Sequence, residues 1–127
     1  MAVEFTVAPQ TFCIAKLPAG EDDAEIVKPG GFFSMTRDED EVTIVADASF
    51  THPNATIETG WRAIKLTGPL PFELTGVLGS FLEPLGLAGI PVFAISTFST
   101  DYVFVRTHQV DLAVETLRNG PRTDASV

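Results

Sequence analysis

Two short segments of the 127-residue chain carry residue types able to hold a small polar molecule. In Thr75-Gly76-Val77-Leu78-Gly79 a glycine-containing turn leads into a periodic apolar run. The first backbone N–H groups of a helix have no intrahelical acceptor and sit at the positive end of its dipole. A helix starting there therefore offers donors to an anion such as a carboxylate. An ordinary capped helix, with Gly79 allowing close packing, explains the same letters. In Ser96-Thr97-Phe98-Ser99-Thr100-Asp101, hydroxyls, an aromatic ring and a carboxylate crowd a bend between two β-rich runs, where they can orient a ligand. The competing account is local, since Ser, Thr and Asp bond their own backbone in turns.

Other groups read as structural. Asp38-Glu39-Asp40-Glu41 is rich in oxygen, but neighbouring strand residues face opposite ways and no calcium-loop glycine follows, so a solvated turn is expected. His52, in a polar linker, and His108, at the start of a second helix, have no cysteine or carboxylate at metal-ligand spacing. No metal and no cofactor is expected. Cys13 lies in a predicted strand, where a buried, inert thiol is usual. The patterns G-x-S-x-G, G-x-G-x-x-G, G-x-x-x-x-G-K-[ST] and H-E-x-x-H do not occur. Arg62 and Arg106 fall in or at the ends of strands rather than in a phosphate-gripping loop. No residue is nominated as catalytic, and the chain is not expected to be an enzyme.

Charge narrows the partners. Eight Lys and Arg against 17 Asp and Glu give a net charge of −9, the reverse of what a phosphate backbone or an anionic membrane requires. Nucleic acid and membrane are therefore excluded as partners, whereas a zwitterion or a cation is not repelled. A single cysteine allows no intrachain disulfide and fits a reducing compartment. Met1-Ala-Val-Glu-Phe-Thr lacks the basic start and apolar run of a signal peptide, so a cytoplasmic location is expected. The long uncharged stretch from Pro84 to Thr100 is shorter than a membrane span and broken by Pro and Gly.

The elements that must position these segments follow from periodicity. Thr11 to Lys16 reads as a strand ending in Leu17-Pro18-Ala19-Gly20, and Glu21 to Glu25 as an acidic loop. Phe32 to Thr36 and Glu41 to Ala46 form a hairpin, and Ala48 to Gly60 a polar linker. Trp61 to Leu66 alternates as a strand. Val77, Leu78, Phe81, Leu82 and Leu85 then recur at helical spacing, with Thr75 as N-cap, Gly89 as C-terminal stop, and Pro84 expected to bend the helix or end its bonding early. Val92 to Thr97 and Tyr102 to Arg106 make a second hairpin, and Val110, Ala113, Val114 and Leu117 stripe a second helix ending at Asn119-Gly120-Pro121.

From Trp61 the order is therefore β-α-β-β-α: an α+β, ferredoxin-like arrangement with both helices on one face of an antiparallel sheet. The fourth strand of a βαββαβ unit is missing, because Gly120-Pro121-Arg122-Thr123 is a poor strand. Val3-Glu4-Phe5-Thr6-Val7 alternates well enough to return and fill that edge. In Tyr102-Val103-Phe104-Val105 both faces are apolar, and one has no helix from this half over it, so the first half or a partner chain is expected there.

Leu66-Thr67-Gly68-Pro69-Leu70, Thr75-Gly76-Val77-Leu78, Pro84-Leu85, Ala88-Gly89-Ile90, Ile95-Ser96-Thr97-Phe98 and Thr100-Asp101-Tyr102-Val103-Phe104-Val105 together resemble ACT domains of the aspartokinase and CASTOR type. Phe33-Ser34-Met35-Thr36-Arg37 and Glu41-Val42-Thr43-Ile44-Val45 resemble the shortened ACT-like half that precedes them in small bacterial ACT proteins. The resemblance implies a pseudo-tandem ACT fold, with residues 1–57 as the shortened half and 58–127 as the ACT domain, packed as one unit. It also implies a regulatory role, binding a small molecule, usually an amino acid, between ACT units. Carried over, the ligand-binding residues are Thr75, Gly76, Val77, Thr97, Phe98, Ser99, Thr100 and Asp101. The backbone at Gly76 and Val77 would take a carboxylate, and Asp101 with carbonyls of the bend an ammonium. A complete site is expected to need a homodimer. The alternative is a dimerisation or partner-binding module with no ligand.

Overall fold

The computed structural model describes residues 4–21, 25–67 and 76–119. Six strands and two helices follow in the order β1 (Phe5–Pro18), β2 (Ser34–Arg37), β3 (Glu41–Asp47), β4 (Thr56–Leu66), α1 (Val77–Leu87), β5 (Phe93–Ser96), β6 (Asp101–Arg106) and α2 (Val110–Asn119). A single turn of tighter helix, Thr107–Gln109, leads into α2. The strand order is β2-β3-β1-β4-β6-β5. Two compact units share these elements: Met1–Pro9 with Arg62–Val127, and Gln10–Trp61.

In the first of these units, β4, α1, β5, β6 and α2 give the βαββα series, and the order β1-β4-β6-β5 leaves the fourth-strand place to the start of β1. The Thr67 N–H donates to the Glu4 carbonyl at 2.8 Å, and the Arg62 side chain reaches the Ala8 carbonyl, so the two segments run in opposite directions. Phe5 and Val7 pack on the core of that unit, and the Phe5 ring meets Phe81 edge-on at 5.9 Å. The alternation seen from Glu4 to Val7 thus fills the sheet edge, as expected; Val3 lies outside the described residues. The core beneath the helices comprises Ile64, Leu66, Val77, Phe81, Leu85, Ile90, Val103, Val105, Ala113 and Leu117. Alternation along β6 and helical spacing along α1 and α2 send these side chains to one face.

The unit Gln10–Trp61 is built on strands. The β2–β3 hairpin pairs Ser34 with Val45 through Arg37 with Val42, and β3 pairs with β1 from Phe12–Asp47 to Pro18–Glu41. Its core is Cys13, Ala15, Leu17, Val42, Ile44 and Ala46 from the strands, closed by Ile26 and Phe50 from the loops. The hairpin turn is held by Asp38, whose carboxylate accepts the Asp40 and Glu41 N–H groups at 2.7 and 2.9 Å. Those bonds hold its carboxyl below the usual carboxylate range, the Asp40 contact foremost.

Several readings need correction. β1 is one strand through Pro9, not a short run from Thr11, and β4 begins at Thr56, so the end of the segment read as a linker is strand. Inside β4, Gly60 has φ 86°, a left-handed conformation that glycine adopts without a Cβ penalty. Glu58, Thr59 and Gly60 interrupt the apolar alternation, which hid the start of the strand.

α1 runs through Pro84 to Leu87, with Gly89 as the stop just beyond it. Its end is a Schellman arrangement: the Gly89 N–H donates to Gly86 and the Ile90 N–H to Leu85, with Gly89 at φ 76° and the Leu85 and Ile90 side chains in the same core. These contacts secure the last turn although Pro84 has no N–H to donate. Phe104, whose face was expected to need cover, is 0 % exposed in the single chain, with Phe93 edge-on to it and Tyr102 stacked at 6.4 Å.

Candidate functional site

The N-cap of α1 is Gly76, at φ 80° and ψ −2°. Thr75, expected to cap the helix, lies outside the described residues. Glycine adopts this left-handed geometry without the Cβ penalty that other residues meet. A Cβ built at Gly76 would meet nothing within 4 Å, so the requirement is conformational rather than steric. Among the described residues no side chain caps the first turn, and no acidic residue lies in it. The first N–H groups of the helix have no intrahelical acceptor, while the Gly76 carbonyl accepts the Ser80 N–H. Val77 is buried in the core, so its backbone, not its side chain, is the part able to meet a ligand.

The bend between β5 and β6 is closed by its own groups. The Thr97 N–H donates to the Thr100 carbonyl at 2.8 Å, the Thr97 hydroxyl donates to that same carbonyl at 3.1 Å, and the Thr100 N–H donates back to the Thr97 hydroxyl at 3.2 Å. Thr100 is buried, 8 % exposed, and its hydroxyl donates to the Leu66 carbonyl at 2.6 Å. This bond ties the bend to the end of β4, the strand whose chain leads on to the start of α1. Asp101 opens β6, opposite Ser96 in the register, and the Ser96 hydroxyl donates to its Oδ1. Ser99 is exposed, and Phe98 stands 81 % exposed at the tip.

Thr97 and Thr100 shape and anchor the bend, and the Thr100 carbonyl, one of the bend acceptors expected for an ammonium, is already occupied. Gly76, the Val77 backbone, the exposed Phe98 ring and the second carboxylate oxygen of Asp101 take no part in these bonds. Ser96, absent from the nominated residues, orients Asp101; its place one side of the bend, in register with Asp101, was the available signal.

A groove of about 470 Å³ lies elsewhere in the same unit, between α2 and residues of β1 and β4, and includes none of the predicted residues. Its Arg62 was read only as a strand residue. Among the described residues no group of three or more His, Cys, Asp or Glu is placed to hold a metal ion, and no helix is long and apolar enough to cross a membrane. Cys13 is buried, and burial pushes its thiol above the ordinary range.

The sequence profile described as ACT domain matches residues 56–119, the span that holds both the start of α1 and the bend. The chain belongs to the ACT domain family. Relatives of the chain include the mouse cytosolic arginine sensor for mTORC1 subunit 1, 27 % identical over 103 residues, which cover 75 % of this chain and 31 % of that protein. The human protein of the same name is 30 % identical over 95 residues, 68 % of this chain and 29 % of that one. This ACT chain thus spans less than a third of the sensors it matches. Among solved structures, an Agobacterium tumefaciens protein superposes with a TM-score of 0.85 at 31 % identity, covering 94 % of this chain and 89 % of that one. The ligand-free regulatory subunit of aspartate kinase from Thermus thermophilus superposes at 0.65 with 7 % identity, covering 93 % and 97 %, a likeness of fold.

Proposed function

We propose that this ACT protein is a non-catalytic regulator in the cytoplasm that binds an amino acid between ACT units, a second copy in a homodimer completing the site. The ligand carboxylate meets the backbone N–H groups at Gly76 and Val77, preceded by Thr75, and the cationic part meets Asp101 on the bend Thr97-Phe98-Ser99-Thr100-Asp101. The observation that carries this reading is the span of the family match, which includes a helix start with a glycine N-cap and a carboxylate held by Ser96. Its support from relatives is the identity to proteins named as arginine sensors. Charge agrees, since a net −9 favours cations and leaves zwitterions unopposed.

A thermal-shift screen of the purified protein against the common amino acids, with calorimetry on any hit, tests the reading. A ligand at about 100 times its Kd adds about 2.7 kcal/mol, several degrees in Tm for a domain of this size. Asp101→Asn keeps an oxygen to accept the Ser96 hydroxyl but removes the charge, so binding of the cationic ligand should fall at least tenfold while the unliganded Tm holds. Binding unchanged by Asp101→Asn removes that residue's role, and no shift from any amino acid overturns the reading.

A further inference from the structure

The groove under α2 has a floor of Val7 from β1, Arg62 from β4, and Val110 and Val114 from α2. Its rim is Asp111, Glu115, Arg118 and Asn119 of α2. Arg62 is half-buried and fixed: its Nε and Nη2 donate to the Ala8 carbonyl at 3.0 and 2.8 Å. A guanidinium carries five N–H donors, so three are left over after these two bonds. Among the described residues neither Arg62 nor Arg118 has a carboxylate at ion-pair distance, although Asp111 and Glu115 share the groove. A planar cation already oriented by backbone bonds loses little entropy on taking a carboxylate, and its fork matches both oxygens.

Charge and volume narrow the occupant. Two arginines and two carboxylates make the lining neutral but separated in sign, within a chain whose net charge of −9 opposes simple anions. A zwitterion satisfies both signs without that opposition, and the three valines leave an apolar wall for its body. The volume of about 470 Å³ falls within the usual range for small-molecule sites. We propose that this groove is a second binding site, for a free α-amino acid with an apolar side chain. The carboxylate lies on the unused donors of Arg62, the ammonium toward Glu115 and Asp111, and the side chain on Val7, Val110 and Val114. The site shares no residue with the one around Gly76 and Asp101 and stands whether or not that one binds a ligand.

The test is an amide chemical-shift titration of the whole chain with L-leucine, 4-methylpentanoate and 3-methylbutylamine. Leucine should shift the amides of Val7, Arg62 and Val110 to Asn119 with one saturating curve, and each of the other two, lacking one charge, should bind at least tenfold more weakly. Arg62→Gln should abolish the shifts. Because that change also removes bonds to Ala8, the exposed-rim variants Arg118→Gln and Glu115→Gln serve as the folded controls, each expected to weaken leucine about threefold to tenfold. Asp101→Asn should leave the curve unchanged. The proposal is overturned if these amides do not move, if 4-methylpentanoate binds as well as leucine, if the rim variants bind like the parent, or if Asp101→Asn removes the response.

Discussion

The two compact units solve one problem, covering a sheet face, with different materials. In the unit completed by Phe5 and Val7, two helices lay Val77, Phe81, Leu85, Ala113 and Leu117 over the strands. In the unit Gln10–Trp61, the strands supply most of the core, and cover comes from single loop residues, Ile26 and Phe50. A helix brings several apolar side chains for one set of backbone constraints, whereas a loop must be tied down near each residue it contributes. The ties are visible. Asp47 accepts from the Gln10 side chain at 2.8 Å and from the Ser49 N–H at 2.9 Å, and Glu21 joins His52 and Asn54 at 3.2 and 2.9 Å. The helical unit has polar ties as well, Thr100 to Leu66 and Arg62 to Ala8, but in the stranded unit the pins fix the loops beside the residues that cover the core.

Substitutions can break this contrast. The largest effect is expected from Leu85→Ala, which empties a fully buried position under α1 and should cost about 2 to 5 kcal/mol in denaturant melts. Hydrogen exchange should show protection lost first among residues 62–119. Thr100→Val, nearly isosteric, leaves the Leu66 carbonyl without its donor and should cost about 1 to 3 kcal/mol, loosening the bend. Gly89→Ala forces a side chain to φ 76° and should cost about 1 to 2 kcal/mol, fraying the end of α1.

The smallest effect tests the pins. The Asp47 carboxyl is held below the usual range by the Ser49 side chain first and then Gln10. A carboxyl depressed on folding adds stability above its unfolded pKa and loses it as pH falls through the folded value. Asp47→Asn should therefore flatten the acid limb of the stability curve, with exchange rising around Gln10 and Ser49. An unchanged acid limb would show that the pin carries no weight.

The second half was largely legible because its signals are dense: helical spacing from Val77 to Leu85, a glycine stop at Gly89, and two hairpin runs. The return of the N-terminal alternation to the sheet edge was also readable. Residues that break their own local rule were not. Pro9 sits inside β1 and Pro84 inside α1, positions where proline ordinarily ends an element. Gly60 sits inside β4, where a glycine ordinarily marks a break, so the first residues of the strand passed as linker. At the site, residue types marked the bend, but they could not say that Thr97 and Thr100 bond within it or that Ser96 is Asp101's partner. Those depend on which oxygen lies opposite which donor, and that is a matter of register.

The use of the first strand to finish a sheet begun much later carries a kinetic consequence. Glu4 is synthesised well before its partner Thr67, and the contact closes a loop containing the whole stranded unit. Contacts of such separation are entropically late and slow the folding of proteins that rely on them. Until β4 emerges, the strand from Phe5 to Val7 lacks the edge it pairs with, so this segment is one that needs protection while the protein is being made.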